Sequence, residues 1–289
     1  MRRFEYYEPE TLEEAVTLLS RHNGQASVLA GGTDLLIEIK EQIKLPEYVI
    51  NIKKIPGLDY LTYEDGVGLK IGALVTARAV EKLPVVVEKY AALAQAVTEL
   101  GSIQVRNRAT VIGNLCRASP SADTPPPLIA DGARVTIFGP AGERELALED
   151  FFTGPGQTVL AKDEILKEVA VPSPSARSGK VYIKHGRRKA MELATVGVAV
   201  TLALEGEVCA QIKIVLGAVA PTPIRVRTAE DTLRGSVINE EVIEAAARAA
   251  MEESRPISDV RSSAEYRHEM VRVLTGRAVR GAFDIAGAN

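Results

Sequence analysis

Apolar residues recur at helical spacing in Leu12, Ala15, Val16 and Leu19, and Thr11-Leu12-Glu13-Glu14 in front of them is a capping box. The pattern predicts a helix ending near Gly24. A short apolar run, Ala26 to Leu29, then breaks at the adjacent glycines Gly31 and Gly32. Helical spacing resumes at once in Leu35, Leu36, Ile39 and Ile43, which predicts a strand, a tight turn and a helix from Asp34 to about Lys44. Tyr48 to Ile52 reads as a buried strand closed by Lys53-Lys54 and Pro56-Gly57. Helix, strand, helix, strand makes a small parallel α/β unit.

After Pro56 the period changes. Leu58 to Tyr63, Gly66 to Ile71 and Ala73 to Val75 are short strand-like runs between acidic and glycine turns, which predicts antiparallel ribbons. Thr76 to Leu83 and Val85 to Leu100 return to helical spacing, and a polar loop from Ser102 to Ala109 follows. Ala133 to Phe138 and Glu164 to Val171 read as strands, and Leu148 to Phe152 as a short helix. Val171 to Gly179 is rich in Pro and Ser, so a domain boundary is placed there. Beyond it, Val196 to Leu204 and Val208 to Leu216 flank Glu205-Gly206-Glu207 as a hairpin would. Asn239 caps a helix over Glu240 to Glu253, and Ser262 or Ser263 caps one running through Gly276.

Composition narrows the class. Of 289 residues, 46% are hydrophobic and 25% charged, the balance of a globular protein, and the length favours two domains. A net charge of −3 gives no reason to propose nucleic acid as a partner. Arg187-Arg188-Lys189 lacks stacking aromatics and reads as a solvated turn or a subunit contact. Met1 to Tyr6 does not resemble a signal peptide, and Val196 to Leu204 is too short to span a bilayer, so a cytoplasmic protein without a membrane span is expected. Cys116 and Cys209 are too few for a zinc site or a cysteine-ligated cluster. His22, His185 and His268 are scattered and read as surface or capping residues. Pro125-Pro126-Pro127 reads as a stiffener of the preceding loop.

The glycine turn carries the candidate chemistry. Paired glycines let a ligand approach the main chain, Thr33 can cap the new helix, and free N–H groups at a helix start favour an anion. Phosphate or pyrophosphate is the expected ligand; an ordinary strand-to-helix turn is the plainer alternative. A stand-alone enzyme using ATP or NAD is a competing reading. It lacks support from any Gly-Lys-Ser/Thr P-loop or GxGxxG fingerprint.

Taken together, Ala30-Gly31-Gly32-Thr33-Asp34-Leu35-Leu36, Thr110-Val111-Ile112-Gly113-Asn114 and Ala118-Ser119-Pro120-Ser121-Ala122-Asp123 resemble the FAD-binding subunit of molybdenum hydroxylases. Phe151 to Thr158, Arg187 to Val196 and Asp259 to Arg267 resemble further signatures of that family, in the family's order. This resemblance implies an α+β fold. A two-lobed FAD-binding domain of the vanillyl-alcohol-oxidase (PCMH) type would occupy 1–175, with lobes at about 1–55 and 56–175. A small α/β C-terminal domain with an antiparallel sheet and helices would occupy 176–289.

It also implies non-covalent FAD, with Leu29, Ala30, Gly31, Gly32, Thr33, Asp34 and Leu35 facing Thr110, Ile112, Gly113 and Asn114 across the pyrophosphate. Asp123 would accept hydrogen bonds from flavin sugar or ribityl hydroxyls, its plainer role being a cap before the prolines. Leu100 and Leu193 stand at contact positions, and both are also plausible core residues. Lys184 stands near the isoalloxazine end; alternatively it is a solvated member of a basic cluster. Ile112 departs from the family's usual glycine, and a β-branched residue resists positive φ, so that side of the site is expected to be ordinary backbone or to approach the pyrophosphate less closely.

No catalytic acid, base or nucleophile is assigned. The implied function is electron transfer from [2Fe–2S] clusters of a small subunit, through FAD, to NAD, quinone or O2. A molybdopterin-binding large subunit would hold the molybdenum cofactor, in a dimer of heterotrimers. An assembly module with a decayed flavin site is the remaining alternative.

Overall fold

A computed structural model describes residues 3–288. The chain opens with β1 (Glu5–Tyr7), α1 (Leu12–His22), β2 (Ala26–Leu29), α2 (Leu35–Lys40) and β3 (Tyr48–Asn51), whose strands form a parallel sheet in the order β1-β3-β2. Thr11 Oγ1 accepts the Glu14 N–H at 3.1 Å, and Glu14 accepts the Glu10 N–H at 3.0 Å. Such a cap is worth about 1 kcal/mol. Two details of the next helix differ from the sequence pattern. Asp34 rather than Thr33 is its N-cap, without a side-chain capping bond. It also stops at Lys40, because Gln42 adopts φ +60° and Ile43 turns outward at 74% exposure instead of extending the buried face.

Next come β4 (Leu61–Glu64) and β5 (Gly68–Gly72), an antiparallel ribbon. No strand forms over Ala73 to Val75; the chain turns there so that Thr76 can cap α3 (Ala77–Lys82). The helix expected over Val85 to Leu100 is two, α4 (Pro84–Lys89) and α5 (Ala91–Glu99). Tyr90 leaves helical geometry between them, buries its ring fully and donates its hydroxyl to the Pro172 carbonyl at 3.0 Å.

The polar loop contains a further turn, α6 (Ile103–Arg106), capped by Ser102. α7 (Val111–Arg117) and α8 (Pro125–Ala130) follow; the three prolines open a buried helix, where a missing N–H costs nothing. β6 (Arg134–Gly139), β7 (Gly142–Ala147), the small ribbon β8 (Phe152–Gly154) with β9 (Gln157–Thr158), and β10 (Ile165–Pro172) complete this part. An antiparallel sheet runs β4-β5-β10-β6-β7. β7 is mostly exposed and has no apolar alternation to predict it.

A second antiparallel sheet contains β11 (Ser178–His185), β12 (Val196–Glu205), β13 (Val208–Gly217) and β14 (Ile224–Arg225). Against it pack α9 (Arg227–Leu233), α10 (Glu240–Glu253) and α11 (Ala264–Ala288). Asn239 caps α10 by accepting the Val242 N–H at 3.0 Å. Ser263 accepts the Tyr266 N–H at 3.2 Å. α11 runs past Gly276 because Ala278, Val279, Ala282 and Ala286 continue its buried face.

One large core joins the two lobes and takes in Tyr182, Ala199 and Val215 from the second sheet; a second lies between that sheet and its helices. Their seam is partly polar. Asp131 accepts from Lys180 at 2.6 Å and from Thr201 at 2.8 Å, and the Lys180 ammonium sits 4.7 Å from the centre of the Tyr90 ring. His22 is buried rather than on the surface, stacked 3.6 Å from Tyr48. Among the described residues no helix is long and apolar enough to cross a membrane.

Candidate functional site

A cavity of about 670 Å³ opens where the β2–α2 turn, the α5–α8 segment and residues 191–193 meet. That volume suits a cofactor-sized ligand. Gly31 and Gly32 form its first wall, and their identity is dictated by space and conformation. A Cβ on Gly31 would lie 2.1 Å from the Arg108 carbonyl oxygen, and Gly32 adopts φ +75°. The turn is therefore pressed against the segment leading into α7. The N–H groups of Gly31, Gly32, Thr33, Asp34 and Leu35 have no acceptor among the described residues. Consecutive free donors beside a cavity are what an anionic ligand requires.

The opposite wall is built differently. Thr110 is buried and bridges to Thr76 across an isolated antiparallel contact. Its hydroxyl accepts the Gly113 N–H at 2.9 Å and its carbonyl accepts the Asn114 N–H at 3.0 Å. The Val111 N–H is taken by the Val75 carbonyl at 3.2 Å, which leaves that of Ile112 without an acceptor among the described residues. Ile112 is the second residue of a helix with ordinary backbone, and its side chain is 4% exposed in the core. Thr110 to Asn114 is thus a capped helix start with ordinary backbone, the first of the two alternatives that Ile112 left open, and helical φ explains why a β-branched residue is tolerated. Asn114 Oδ1 is occupied, accepting the Thr124 hydroxyl at 2.7 Å.

The remaining expected residues separate by position. Ala30, Thr33, Asp34, Leu35, Ile112 and Asn114 line the cavity, as do Gly31, Gly32, Thr110 and Gly113. Leu100 and Leu193 line it as well, Leu100 buried and Leu193 48% exposed, so Leu193 is not a core residue. Leu29 lies outside the lining, turned into a small core with Ile39 and Val49. From the segment between Ser102 and Ala109, Val105 and Ala109 face the cavity.

Asp123 lines the cavity and is 6% exposed. It does not cap the proline helix: its carboxylate accepts the Tyr182 hydroxyl at 2.9 Å and the Lys184 ammonium at 2.9 Å. Burial pushes its carboxyl upward, against the pull of the Lys184 charge and these hydrogen bonds. Lys184 is a buried lysine, not a solvated one, and also donates to the Glu99 carbonyl at 3.0 Å.

Sequence reasoning missed two groups. Arg117, at the far end of α7, pairs with Glu38 at 2.9 Å and Asp34 at 3.8 Å, bridging the two walls. Only the contact across the fold reveals it. Tyr182 was missed with the whole of β11; the signal available was the alternation of Lys180, Tyr182 and Lys184 along one strand face. Cys116, half-buried, also lines the cavity, and burial pushes its thiol up to about 12, which favours the protonated form.

Comparison with known proteins agrees with this geometry. Residues 2–174 match the FAD binding domain in molybdopterin dehydrogenase, and residues 181–282 match the CO dehydrogenase flavoprotein C-terminal domain. The carbon monoxide dehydrogenase medium chain of Hydrogenophaga pseudoflava is 34% identical over 281 residues, covering 97% of each chain. A nicotinate dehydrogenase FAD-subunit from Eubacterium barkeri is 32% identical, over 94% of this chain and 93% of its own. The solved structure of the Hydrogenophaga pseudoflava carbon monoxide dehydrogenase, in a form lacking the Mo-pyranopterin moiety, superposes with a TM-score of 0.95 over 98% of both chains at 34% identity. By sequence over both domains and by fold over nearly its whole length, the chain belongs to the family of FAD-binding medium subunits of the molybdenum hydroxylases.

Proposed function

We propose that this chain holds one FAD non-covalently and serves as the electron-transfer subunit of a molybdenum hydroxylase. The observation that carries the reading is the row of unengaged N–H groups from Gly31 to Leu35 facing the Thr110 helix start across one cavity. A diphosphate fits such a place, because neutral donors compensate its charge without a lysine. In this reading Gly31 to Asp34 and Thr110 to Gly113 hold the pyrophosphate, and Asp123 accepts from sugar or ribityl hydroxyls. Leu100, Val105 and Leu193 give the ring system an apolar surround. The bound FAD supplies the redox chemistry, taking electrons one at a time and releasing them singly or in pairs, while the chain supplies binding and orientation.

The partners in this proposal are a small subunit with [2Fe–2S] clusters and a molybdopterin-binding large subunit that oxidises the substrate. The complex is a cytoplasmic dimer of heterotrimers passing electrons to NAD, quinone or O2. Residues 1–175 form the FAD-binding domain and 176–289 the C-terminal domain. Affinity capture of the native complex tests this, with molybdenum, iron and flavin measured in the captured material. Copurification of all three, and bleaching of the flavin on adding the substrate of the molybdenum subunit, is the expected result. Capture of the chain without iron or molybdenum subunits would refute the electron-transfer assignment.

A further inference from the structure

Among the described residues, Asp123 is the acidic wall residue that the second sheet holds from outside the cavity, through two side chains of β11. Oδ1 accepts from the Tyr182 hydroxyl and Oδ2 from the Lys184 ammonium, each at 2.9 Å. A carboxylate oxygen accepts two hydrogen bonds, so each oxygen keeps acceptor capacity, and Asp123 lines the cavity. Tyr182 and Lys184 are two residues apart on one face of β11, in the C-terminal sheet. The Tyr182 side chain is fully buried.

A second observation concerns the room kept for its hydroxyl. Gly197 lies on β12, paired with Lys184 and two residues before the Tyr182 partner Ala199. A Cβ on Gly197 would stand 3.1 Å from Tyr182 Oη, the closest contact it would meet. The neighbouring strand thus leaves space at the hydroxyl itself, where a purely apolar packing role would need none.

We propose that Tyr182 is a positioning residue for the cofactor: its hydroxyl fixes the Asp123 carboxylate toward the cavity, so that the C-terminal sheet sets how tightly the cavity grips a ligand hydroxyl. The inference rests on the FAD reading of the cavity. It makes the grip on FAD depend on how the two sheets are docked, although Tyr182 itself is not among the cavity-lining residues.

FAD titrations of the full-length chain test it, following flavin fluorescence and the visible circular dichroism of the bound flavin, with the melting temperature of the FAD-free chain measured in parallel. Tyr182→Phe should weaken FAD binding about tenfold and alter the visible dichroism in the same direction as Asp123→Asn. Combined with Asp123→Asn it should add no further loss, because both changes break one interaction. Gly197→Ala, which crowds the hydroxyl without removing it, should weaken binding in the same sense and stands in if Tyr182→Phe fails to fold. A Tyr182→Phe chain with unchanged FAD affinity and dichroism, or additive losses in the double variant, would overturn the role of Tyr182 while leaving FAD binding intact. Failure of the unaltered chain to take up FAD would instead overturn the reading of the cavity, and this inference with it.

Discussion

The two walls of the cavity face the same space but are held in opposite ways. At Gly31 to Leu35 the backbone donors are unengaged and the helix behind them is short, ending at Lys40. At Thr110 to Asn114 most of the donors are already spent on the protein, and the segment is tied to Val75 and Thr76. One wall offers donors; the other offers a fixed edge against which they are aligned. The walls meet where Gly31 approaches the Arg108 carbonyl and where Arg117 pairs with Glu38 and Asp34. An anion cradle built this way needs rigidity on one side only, since the ligand itself can order the other.

Substitutions on each wall should therefore fail differently. Ile112→Gly, which introduces the glycine that the resemblance led one to expect there, should have the largest effect on stability. It removes a buried side chain from a helix and should cost about 4 kcal/mol in denaturant unfolding, without tightening FAD binding. A gain in affinity would show that Ile112 holds the second wall away from the ligand. Gly31→Ala should cost about 3 kcal/mol, because its Cβ meets backbone that cannot yield. Here binding should be lost as well, and a stable, flavin-loaded Gly31→Ala chain would break the comparison. Thr110→Val keeps the shape but loses the cap on Gly113, so about 1 kcal/mol should go from thermal stability, with FAD affinity falling only modestly.

A smaller effect depends on pH. Arg106 is buried just ahead of the second wall, donating to the Thr98 and Leu100 carbonyls and to Glu81 at 2.8 Å. Burial alone would raise the Glu81 carboxyl, but hydrogen bonds from Arg78 and Arg106 outweigh it and hold it below the ordinary glutamate value. A depressed acid stabilises the fold above its unfolded value, about 4.3, and that contribution is lost as pH falls through the folded value. Melting temperatures of Glu81→Gln should accordingly fall less steeply below about pH 4.5 than those of the unaltered chain. An identical acid limb in both would remove Glu81 from the account.

Much of this was legible in the sequence. Caps at Thr11 and Asn239, the strand Ala26 to Leu29 and the hairpin around Gly206 follow from local pattern, because local rules decide them. So does the glycine turn. What was not legible depends on distant contact. Tyr90 breaks a helix whose period is uninterrupted because its hydroxyl reaches the Pro172 carbonyl. Exposed β7 has no periodicity to read. Lys184 looks like one lysine of a solvated cluster until Asp123 and the Glu99 carbonyl are brought to it. Arg117 likewise acquires meaning only when α7 is laid against Glu38.

The central claim is that the cavity between the two walls holds FAD. It is tested most directly by adding FAD to the FAD-free full-length chain, removing excess, and recording the visible absorption spectrum. One FAD per chain is the predicted result, with a two-banded flavin spectrum that dithionite bleaches and that disappears in Gly31→Ala. A chain that is folded by circular dichroism yet retains no flavin after reconstitution would contradict the account.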